Sequence, residues 1–390
     1  MTANPYTPGQ VPRVLAGRKV EMRRIEDRLA RVTTYGELGG PLLVFHSPRG
    51  IGKTSLLREG QQRADGLGFV TAWVACSRER PVLPELVHSL GRALERSDAA
   101  PTGAAGGRWR ARLEKVTVEV GVPGVKVAAQ VGRAASDPLP PAPIGALGAL
   151  LHDTAVLVRE RGGAGLLLLV DELHAASADD MAVLLNAVQN LDGEREPTPL
   201  AVVTAGLPVT PEALTRAATF GERSAFVPLD VLSGEDARAA LVAPAATEDV
   251  TWTDGALDAL VAEAHGYPYL LQLLGSTTWD AASPTRGDRL TLPHVRRGLP
   301  AARAQLTAMH RARWGAATPA ERSFLAAMSA TGLDNVPRAA IAAGMGRDSR
   351  AISVPRERLI AKGVIEPVGH GLVRFTLPGF GEFVRSLDEQ

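Results

Sequence analysis

The 390-residue chain is poor in several residue types. Cys76 is its one cysteine, which excludes an intramolecular disulfide and a zinc site built from several cysteines. Aromatic residues make up 4% of the chain, and apolar runs such as LLLLV at 166–170 are far too short to cross a bilayer. The amino-terminal stretch lacks the apolar core of a signal peptide. We therefore expect a cytoplasmic protein with no membrane partner.

Lysine is scarce as well. The chain has 43 basic residues, and its lysines are Lys19, Lys53, Lys115, Lys126 and Lys362. Arginine and alanine are correspondingly frequent, which we attribute to the base composition of the genome, so arginine abundance alone is weak evidence for a nucleic-acid partner. The net charge of +1 indicates no partner by itself. The length predicts two or three domains.

Short apolar runs recur along the first 232 residues and have the composition of strands buried on both faces. Helix-length segments separate them, which predicts an α/β fold with a five-stranded parallel sheet. The predicted strands are 41–46, 69–75, 165–170, 199–204 and 225–231. From about residue 233 the pattern becomes helical, with Ser233 and Thr253 as predicted N-caps.

The segment 100–146 interrupts this alternation of strands and helices. Residues 116–131 alternate apolar and polar side chains around GVPG, which predicts an exposed β-hairpin followed by a proline-rich linker. The pattern leaves open whether the hairpin contacts a partner or is only a surface flap.

A glycine-rich turn, SPRGIGKTS at 47–55, joins the first predicted strand to an amphipathic helix. This context is typical of a phosphate-binding P-loop, although the pattern G-x-x-x-x-G-K-[ST] has glycine where this chain has Ser47. Backbone N–H groups of such a loop point at phosphates, and Gly50 and Gly52 let the backbone come close to them. Lys53 would contact the β- and γ-phosphates, and the Thr54 hydroxyl would bind Mg²⁺.

We therefore predict a site for ATP or ADP along the turn. Its candidate residues are Ser47, Pro48, Arg49, Gly50, Ile51, Gly52, Lys53, Thr54 and Ser55.

An acidic pair, Asp171 and Glu172, follows the most apolar strand. A carboxylate at the carboxyl end of a parallel strand lies beside the P-loop, so we expect Asp171 to join Thr54 in holding Mg²⁺. Glu172 can polarise the water that attacks the γ-phosphate. Taken alone, the pair could also be a helix N-cap after a strand. Together with the P-loop, it favours hydrolysis over phosphoryl transfer to a small molecule.

Residues 14 to about 280 resemble the initiator-like (origin-recognition-type) AAA+ ATPases and the related STAND NTPases. The segments that carry the resemblance are VLAGRKVEMRRIEDRL at 14–29, SPRGIGKTSLL at 47–57, LLLLVDELH at 166–174 and GYPYLLQLLG at 266–275. The resemblance implies that Gly17 and Arg18 lie near the adenine and that Pro268, in the G-x-P motif of a helical lid, contacts the nucleotide.

By position, the resemblance also implies two further catalytic residues. Thr204 would be the sensor 1 residue at the γ-phosphate, and Arg223 would be an arginine finger offered to a neighbouring subunit of a homo-oligomer. A structural threonine and a surface arginine remain the alternatives. The chain lacks the sensor 2 arginine of typical AAA+ lids, which favours a slow switch over a motor.

The carboxyl-terminal segments 318–331, 336–346 and 353–367 are typical of three short helices, and an alternating strand follows. This order predicts a winged helix, with Thr318 and Glu321 forming a capping box and Ser353 capping the third helix. Residues 301–375 contain eleven Arg or Lys and five Asp or Glu, a net charge of +6. We therefore predict duplex DNA as a partner, with protein docking as the alternative. The candidate DNA contacts are Arg347, Arg350, Arg356, Arg358, Lys362 and Arg374.

These patterns predict an α/β P-loop AAA+ core at 1–232, an all-α helical lid at 233–315 and a winged helix at 316–390. The function they favour is an ATP-dependent switch that hydrolyses ATP slowly and acts through the winged helix. Two alternatives remain. The first is a signalling NTPase whose winged helix docks a protein or controls self-assembly. The second is a scaffold that binds ATP without hydrolysing it, in which Ser47 would reflect a degenerate P-loop.

Overall fold

The computed structural model describes residues 2–97, 107, 109–110, 113, 143–192 and 196–388. The predicted hairpin at 116–131 lies outside these residues. The chain forms two compact units. The sheet unit contains Arg18–His46 and Lys53–Leu229, and the helical unit contains Met1–Gly17, Ser47–Gly52 and Asp230–Gln390.

A five-stranded parallel sheet forms the centre of the sheet unit, which confirms the predicted α/β class. The strands stand in the order β2-β3-β4-β1-β5. Their bounds are β1 Leu43–His46, β2 Phe69–Ala75, β3 Gly165–Asp171, β4 Leu200–Gly206 and β5 Ala225–Pro228. β3 is buried along its whole length because β2 and β4 flank it and helices cover both of its faces.

The helices of the sheet unit include α1 Lys19–Tyr35, α2 Lys53–Gly66, α3 Val82–Glu95, α4 Pro143–Glu160, α5 Ala178–Leu191 and α6 Thr210–Ala217. Short 3₁₀ turns occupy Leu173–Ala175 and Thr219–Arg223. Leu166, Leu168 and Val170 of β3 join apolar side chains of α3, α4 and α5 in one core. Successive strand residues point to opposite faces, so the alternate leucines of β3 are buried under the helices of the other face.

The carboxyl ends of β4 and β5 differ from the prediction, and the length of β1 explains both. β4 continues two residues beyond Thr204 because His46 of β1 still pairs with Gly206. β5 ends at Pro228 rather than at residue 231 because its one neighbour, β1, ends at His46, the partner of Pro228. Pairing partners therefore decide where these strands end.

The helical unit includes α7 Gly234–Thr247, β6 Thr251–Trp252, α8 Asp254–Ala264, α9 Pro268–Ala282, β7 Arg289–Leu290 and α10 Leu292–Gly315. The predicted N-cap Ser233 is confirmed, since its hydroxyl accepts the Asp236 N–H at 3.1 Å. Thr253 precedes α8, but its hydroxyl donates to the Leu290 carbonyl at 3.3 Å and makes no capping bond. The reason is the short β6–β7 pair, which the sequence pattern does not reveal.

Residues 319–388 form α11 Pro319–Ala330, β8 Val336–Pro337, α12 Arg338–Gly344, α13 Ser353–Ala361, β9 Ile365–Gly369, β10 Leu372–Phe375 and α14 Phe380–Asp388. The three strands make an antiparallel sheet in the order β8-β10-β9. The Thr318–Glu321 capping box is confirmed, because each residue accepts the backbone N–H of the other.

Ser353 does not cap α13, contrary to the prediction. It lies inside the first turn after the N-cap Ile352, and its hydroxyl accepts a hydrogen bond from Arg338 Nη2 at 2.6 Å. Throughout the described part of the chain, no helix combines the length and the apolar character that crossing a bilayer requires.

Candidate functional site

The glycine-rich turn follows β1 and leads into α2, as predicted. Gly50 and Gly52 have φ values of 83° and 98°, a region of backbone conformation that favours glycine. Ser47 has no such positive φ, so a serine costs no backbone strain at that position. Its side chain is buried, and its hydroxyl donates to the Pro48 carbonyl at 3.2 Å. The departure from the P-loop pattern therefore leaves the backbone of the turn undisturbed.

The two predicted magnesium ligands lie together in the sheet unit. The hydroxyl of Thr54, in the first turn of α2, donates to Asp171 Oδ2 at 2.6 Å. The backbone N–H of Glu172 donates to the other carboxylate oxygen, Oδ1, at 2.8 Å. Lys53 begins α2 and is buried. The parallel sheet thus joins the P-loop helix to the end of β3, two elements more than 100 residues apart in the chain.

The electrostatics of Asp171 suit a cation. Burial raises the pKa of its carboxyl above the ordinary value, while the bonds from Thr54 and the Glu172 N–H and the charge of Lys53 act in the opposite direction. A buried carboxylate gains from any further positive charge beside it. Hydroxyl and carboxylate oxygens are the donors that Mg²⁺ prefers, so the residues present fit this metal.

Glu172 occupies an unusual backbone position directly after the strand. Its φ of 54° and ψ of 35° are left-handed, a strained conformation for a residue with a side chain. Its side chain is 29% exposed, and its Oε2 lies 3.5 Å from Nε2 of His174, whose side chain is 3% exposed. Sequence reasoning did not single out His174 as a site residue. The available signal was its place three residues after Asp171, shortly after the acidic pair.

The two remaining predicted catalytic residues have other neighbours. Thr204 is fully buried and lies two residues before the carboxyl end of β4. Its hydroxyl donates to the Leu43 carbonyl at 3.3 Å. Arg223 is exposed, with its guanidinium 5.2 Å from the ring centroid of Phe220. The sensor role of Thr204 and the finger role of Arg223 stay predictions.

The residues predicted to lie near the base have structural roles of their own. Gly17 has a φ of 70°, and a Cβ there would lie 2.5 Å from Cβ of Asp236, so packing within the helical unit requires glycine. Arg18 is buried, with Nη1 3.4 Å from Glu21 Oε1 in α1. Pro268 is the first residue of α9, a position where its missing N–H costs nothing. Contact with a nucleotide stays a prediction for all three.

Tyr267, which sequence reasoning also missed, is hydrogen-bonded to the glycine-rich turn within the helical unit. Its hydroxyl donates to the Arg49 carbonyl, and its side chain is buried. The N–H of Tyr269 donates to the Gly50 carbonyl at 3.2 Å. A Cβ on Gly50 would lie 2.7 Å from the Tyr267 hydroxyl. Gly50 is thus required both by its backbone conformation and by the tyrosine packed against it.

The six candidate DNA contacts differ in their surroundings. Lys362 Nζ lies 2.7 Å from Glu321 Oε2, and Arg374 Nε lies 2.5 Å from Glu366 Oε1, so both cations have an acidic partner. Arg356 is half-buried. Arg347, Arg350 and Arg358 are exposed, and Arg374 is exposed as well despite its acidic partner.

Residues 14–203 match the family model of the AAA ATPase domain, and residues 307–384 match that of a domain of unknown function, DUF8462. None of the curated proteins matches the chain.

Among solved structures, the Aeropyrum pernix ORC2 protein, in ADPNP–ADP complexes, is 14% identical, with a TM-score of 0.60. The match covers 98% of this chain and 96% of that one. The Walker-type ATPase PABY2304 of Pyrococcus abyssi is 13% identical, with a TM-score of 0.59, and the match covers 95% and 96%. At these identities the likeness shows a shared fold.

Proposed function

Because residues 14–203 match the family model of the AAA ATPase domain, we propose that this protein binds ATP with Mg²⁺ and hydrolyses it slowly, as a molecular switch. The observation that carries the proposal is the hydrogen bond between Thr54 and Asp171, which joins the P-loop helix to the acidic strand end. Those two motifs are the ones that ATP hydrolysis needs side by side.

Each motif residue has a separate task in this proposal. The backbone N–H groups of Ser47 and Arg49–Gly52 and the ammonium group of Lys53 would bind the phosphates, and Thr54 and Asp171 would hold the metal. When bound, Mg²⁺ neutralises charge on the β- and γ-phosphates. Glu172 accepts a hydrogen bond from the attacking water and orients it towards the γ-phosphate.

The test is single-turnover hydrolysis with protein in excess over ATP. We expect Glu172→Gln to bind ATP as the wild type does and to hydrolyse it at least 100-fold more slowly, since general base catalysis contributes about 10²–10⁴-fold. Glu212→Gln is the matched control, because Glu212 is an exposed glutamate of α6. A wild type that binds ATP without hydrolysing it would favour the scaffold alternative, and equal rates for the two variants would contradict the role of Glu172.

The switch part of the proposal follows from contacts inside the helical unit. Carbonyl groups of the P-loop, at Arg49 and Gly50, accept hydrogen bonds from the residues that start α9. α9 packs against α10, and Arg313 of α10 donates to the Gly363 carbonyl at 3.4 Å and to the Thr376 hydroxyl at 3.3 Å. Phosphate binding that shifts the loop would act on α9 and, through α10, on the carboxyl-terminal residues.

For residues 316–390 we propose a winged helix that binds duplex DNA. The order α11, β8, α12, α13, β9, β10 supports the winged helix. The exposed cations Arg347, Arg350 and Arg358, on α13 and the loop before it, support an interface with phosphates. The proposed domains remain the core at 1–232, the lid at 233–315 and this winged helix.

Fluorescence anisotropy with a generic duplex at several salt concentrations tests DNA binding. We expect Arg347→Ala/Arg350→Ala to weaken binding and to reduce the salt slope by about two, because each lost phosphate contact reduces it by about one. Arg286→Ala, which removes an exposed arginine elsewhere in the helical unit, should change the affinity less. An equal effect of both variants, or no binding at low salt, would favour protein docking instead.

A further inference from the structure

His174 has a fixed place in the sheet unit that the proposed roles do not explain. It belongs to the 3₁₀ turn Leu173–Ala175, which follows the acidic pair at the end of β3. Its ring is almost wholly buried, with a side chain 3% exposed. One ring nitrogen faces Glu172 and the other faces Leu207, the first residue after β4.

The contact with Leu207 determines where the imidazole proton is. The Leu207 N–H donates to His174 Nδ1 at 3.3 Å, so Nδ1 is the acceptor and carries no proton. In the neutral ring the proton must then sit on Nε2. Nε2 is the nitrogen that lies 3.5 Å from Glu172 Oε2, so the ring presents a donor to the carboxylate.

Packing and hydrogen bonding hold Leu207 in place, so its N–H fixes the position of the His174 ring. It is fully buried, and the Thr210 hydroxyl donates to its carbonyl at 2.6 Å. Gly206 brings the backbone so close to Thr210 that a Cβ would lie 2.1 Å from the threonine hydroxyl. The imidazole thus spans two neighbouring strand ends, β3 with Glu172 and β4 with Leu207.

We propose that His174 is a positioning residue for the hydrolysis assigned above to Glu172, and the inference rests on that proposed function. The Nε2–H group donates to Oε2 of Glu172 and restricts the carboxylate to one orientation, from which it can accept a hydrogen bond from the attacking water. Glu172 needs such a restraint because its side chain is partly exposed and its backbone is strained. His174 touches neither water nor phosphate in this role.

The experiment compares His174→Leu, which removes the donor, with His174→Gln, which keeps an N–H group at a similar reach. We expect His174→Leu to lower the single-turnover rate by about 10- to 100-fold, the usual effect of losing an orienting partner, with ATP affinity unchanged. His174→Gln should recover part of the rate. In the Glu172→Gln background, His174→Leu should cause no further loss, because its target is already gone.

Each contrary result overturns a specific statement. A loss of rate in His174→Leu that persists in the Glu172→Gln background, or that comes with weaker ATP binding, would make His174 a structural residue. A wild-type rate for His174→Leu would overturn the positioning role and leave the proposed ATPase intact. A wild type that hydrolyses nothing would overturn both.

The tautomer is measured independently of hydrolysis, by ¹⁵N NMR of the imidazole nitrogens. A proton on Nδ1 would overturn the proposal at any hydrolysis rate.

Discussion

Replacing Lys362 with methionine should destabilise the helical unit, because Lys362 neutralises a buried carboxylate. Glu321 is 1% exposed, and its Oε2 accepts from Lys362 Nζ at 2.7 Å and from the Thr318 N–H at 2.8 Å. Removing one partner of a buried ion pair costs roughly 3–5 kcal/mol. The Lys362 side chain is 34% exposed, so solvent screens part of this interaction, and we expect a loss of about 2 kcal/mol.

The loss should depend on pH in a defined direction. Burial raises the pKa of Glu321, but hydrogen bonds from Lys362 and Thr318 outweigh burial and hold it below the ordinary value of 4.5. The pair therefore stabilises the fold fully above pH 4.5, and its contribution fades as the pH falls through the lower folded-state pKa. Without Lys362 the pKa rises and the carboxyl takes up a proton more easily. The gap between wild type and variant should shrink as the pH falls.

Urea unfolding or calorimetry of the full chain at pH 7.5 and at pH 4.0 measures the gap. At pH 7.5 we expect Lys362→Met to lower the melting temperature of the helical unit by about 5 °C. Arg347→Met is the control, because it removes an exposed positive charge. Glu321→Leu/Lys362→Met should recover most of the loss. A Lys362→Met shift no larger than that of the control, or equal at both pH values, would refute the reasoning.

Three further predictions concern the sheet unit and the P-loop. Gly50→Ala should lower ATP affinity at least tenfold in calorimetric titration, because φ is 83° and the new Cβ would lie 2.7 Å from the Tyr267 hydroxyl. Gly66→Ala is the control: the space at its Cβ position is open, so the ATP affinity should not fall. Burial raises the pKa of the Cys76 thiol to about 12, against about 9 in the unfolded chain. Alkylation of Cys76 at pH 8 should therefore be about 1,000-fold slower in the folded chain. Equal alkylation rates for the folded and unfolded chain would contradict the burial of the thiol. Arg223→Ala should slow hydrolysis by about 10³-fold if the finger acts in trans, and mixing it with Glu172→Gln should restore activity; unrestored mixtures would exclude that role.

Arg223 and Lys362 show that a sequence position does not identify the partner of a cation. Arg223 was a candidate because of the family resemblance, and Lys362 because of the positive charge of residues 301–375. The structure places Lys362 against Glu321, 41 residues away in the chain, and leaves Arg223 exposed beside Phe220. Ion pairing between distant residues depends on the packing of α13 against α11, which no local pattern encodes.

The elements that could be predicted are those whose residues follow one another in the chain. A glycine turn between a buried strand and a helix, taken together with an apolar strand that ends in an acidic pair, favours a nucleotide site, and the parallel sheet brings Thr54 to Asp171. The Thr318–Glu321 box is local in the same sense. Other features depend on packing between distant elements: where β4 and β5 end, which carbonyl Tyr267 binds, and which nitrogen of His174 faces Glu172. Each of these features depends on hydrogen-bond partners from other elements, and those partners come together only when the chain folds.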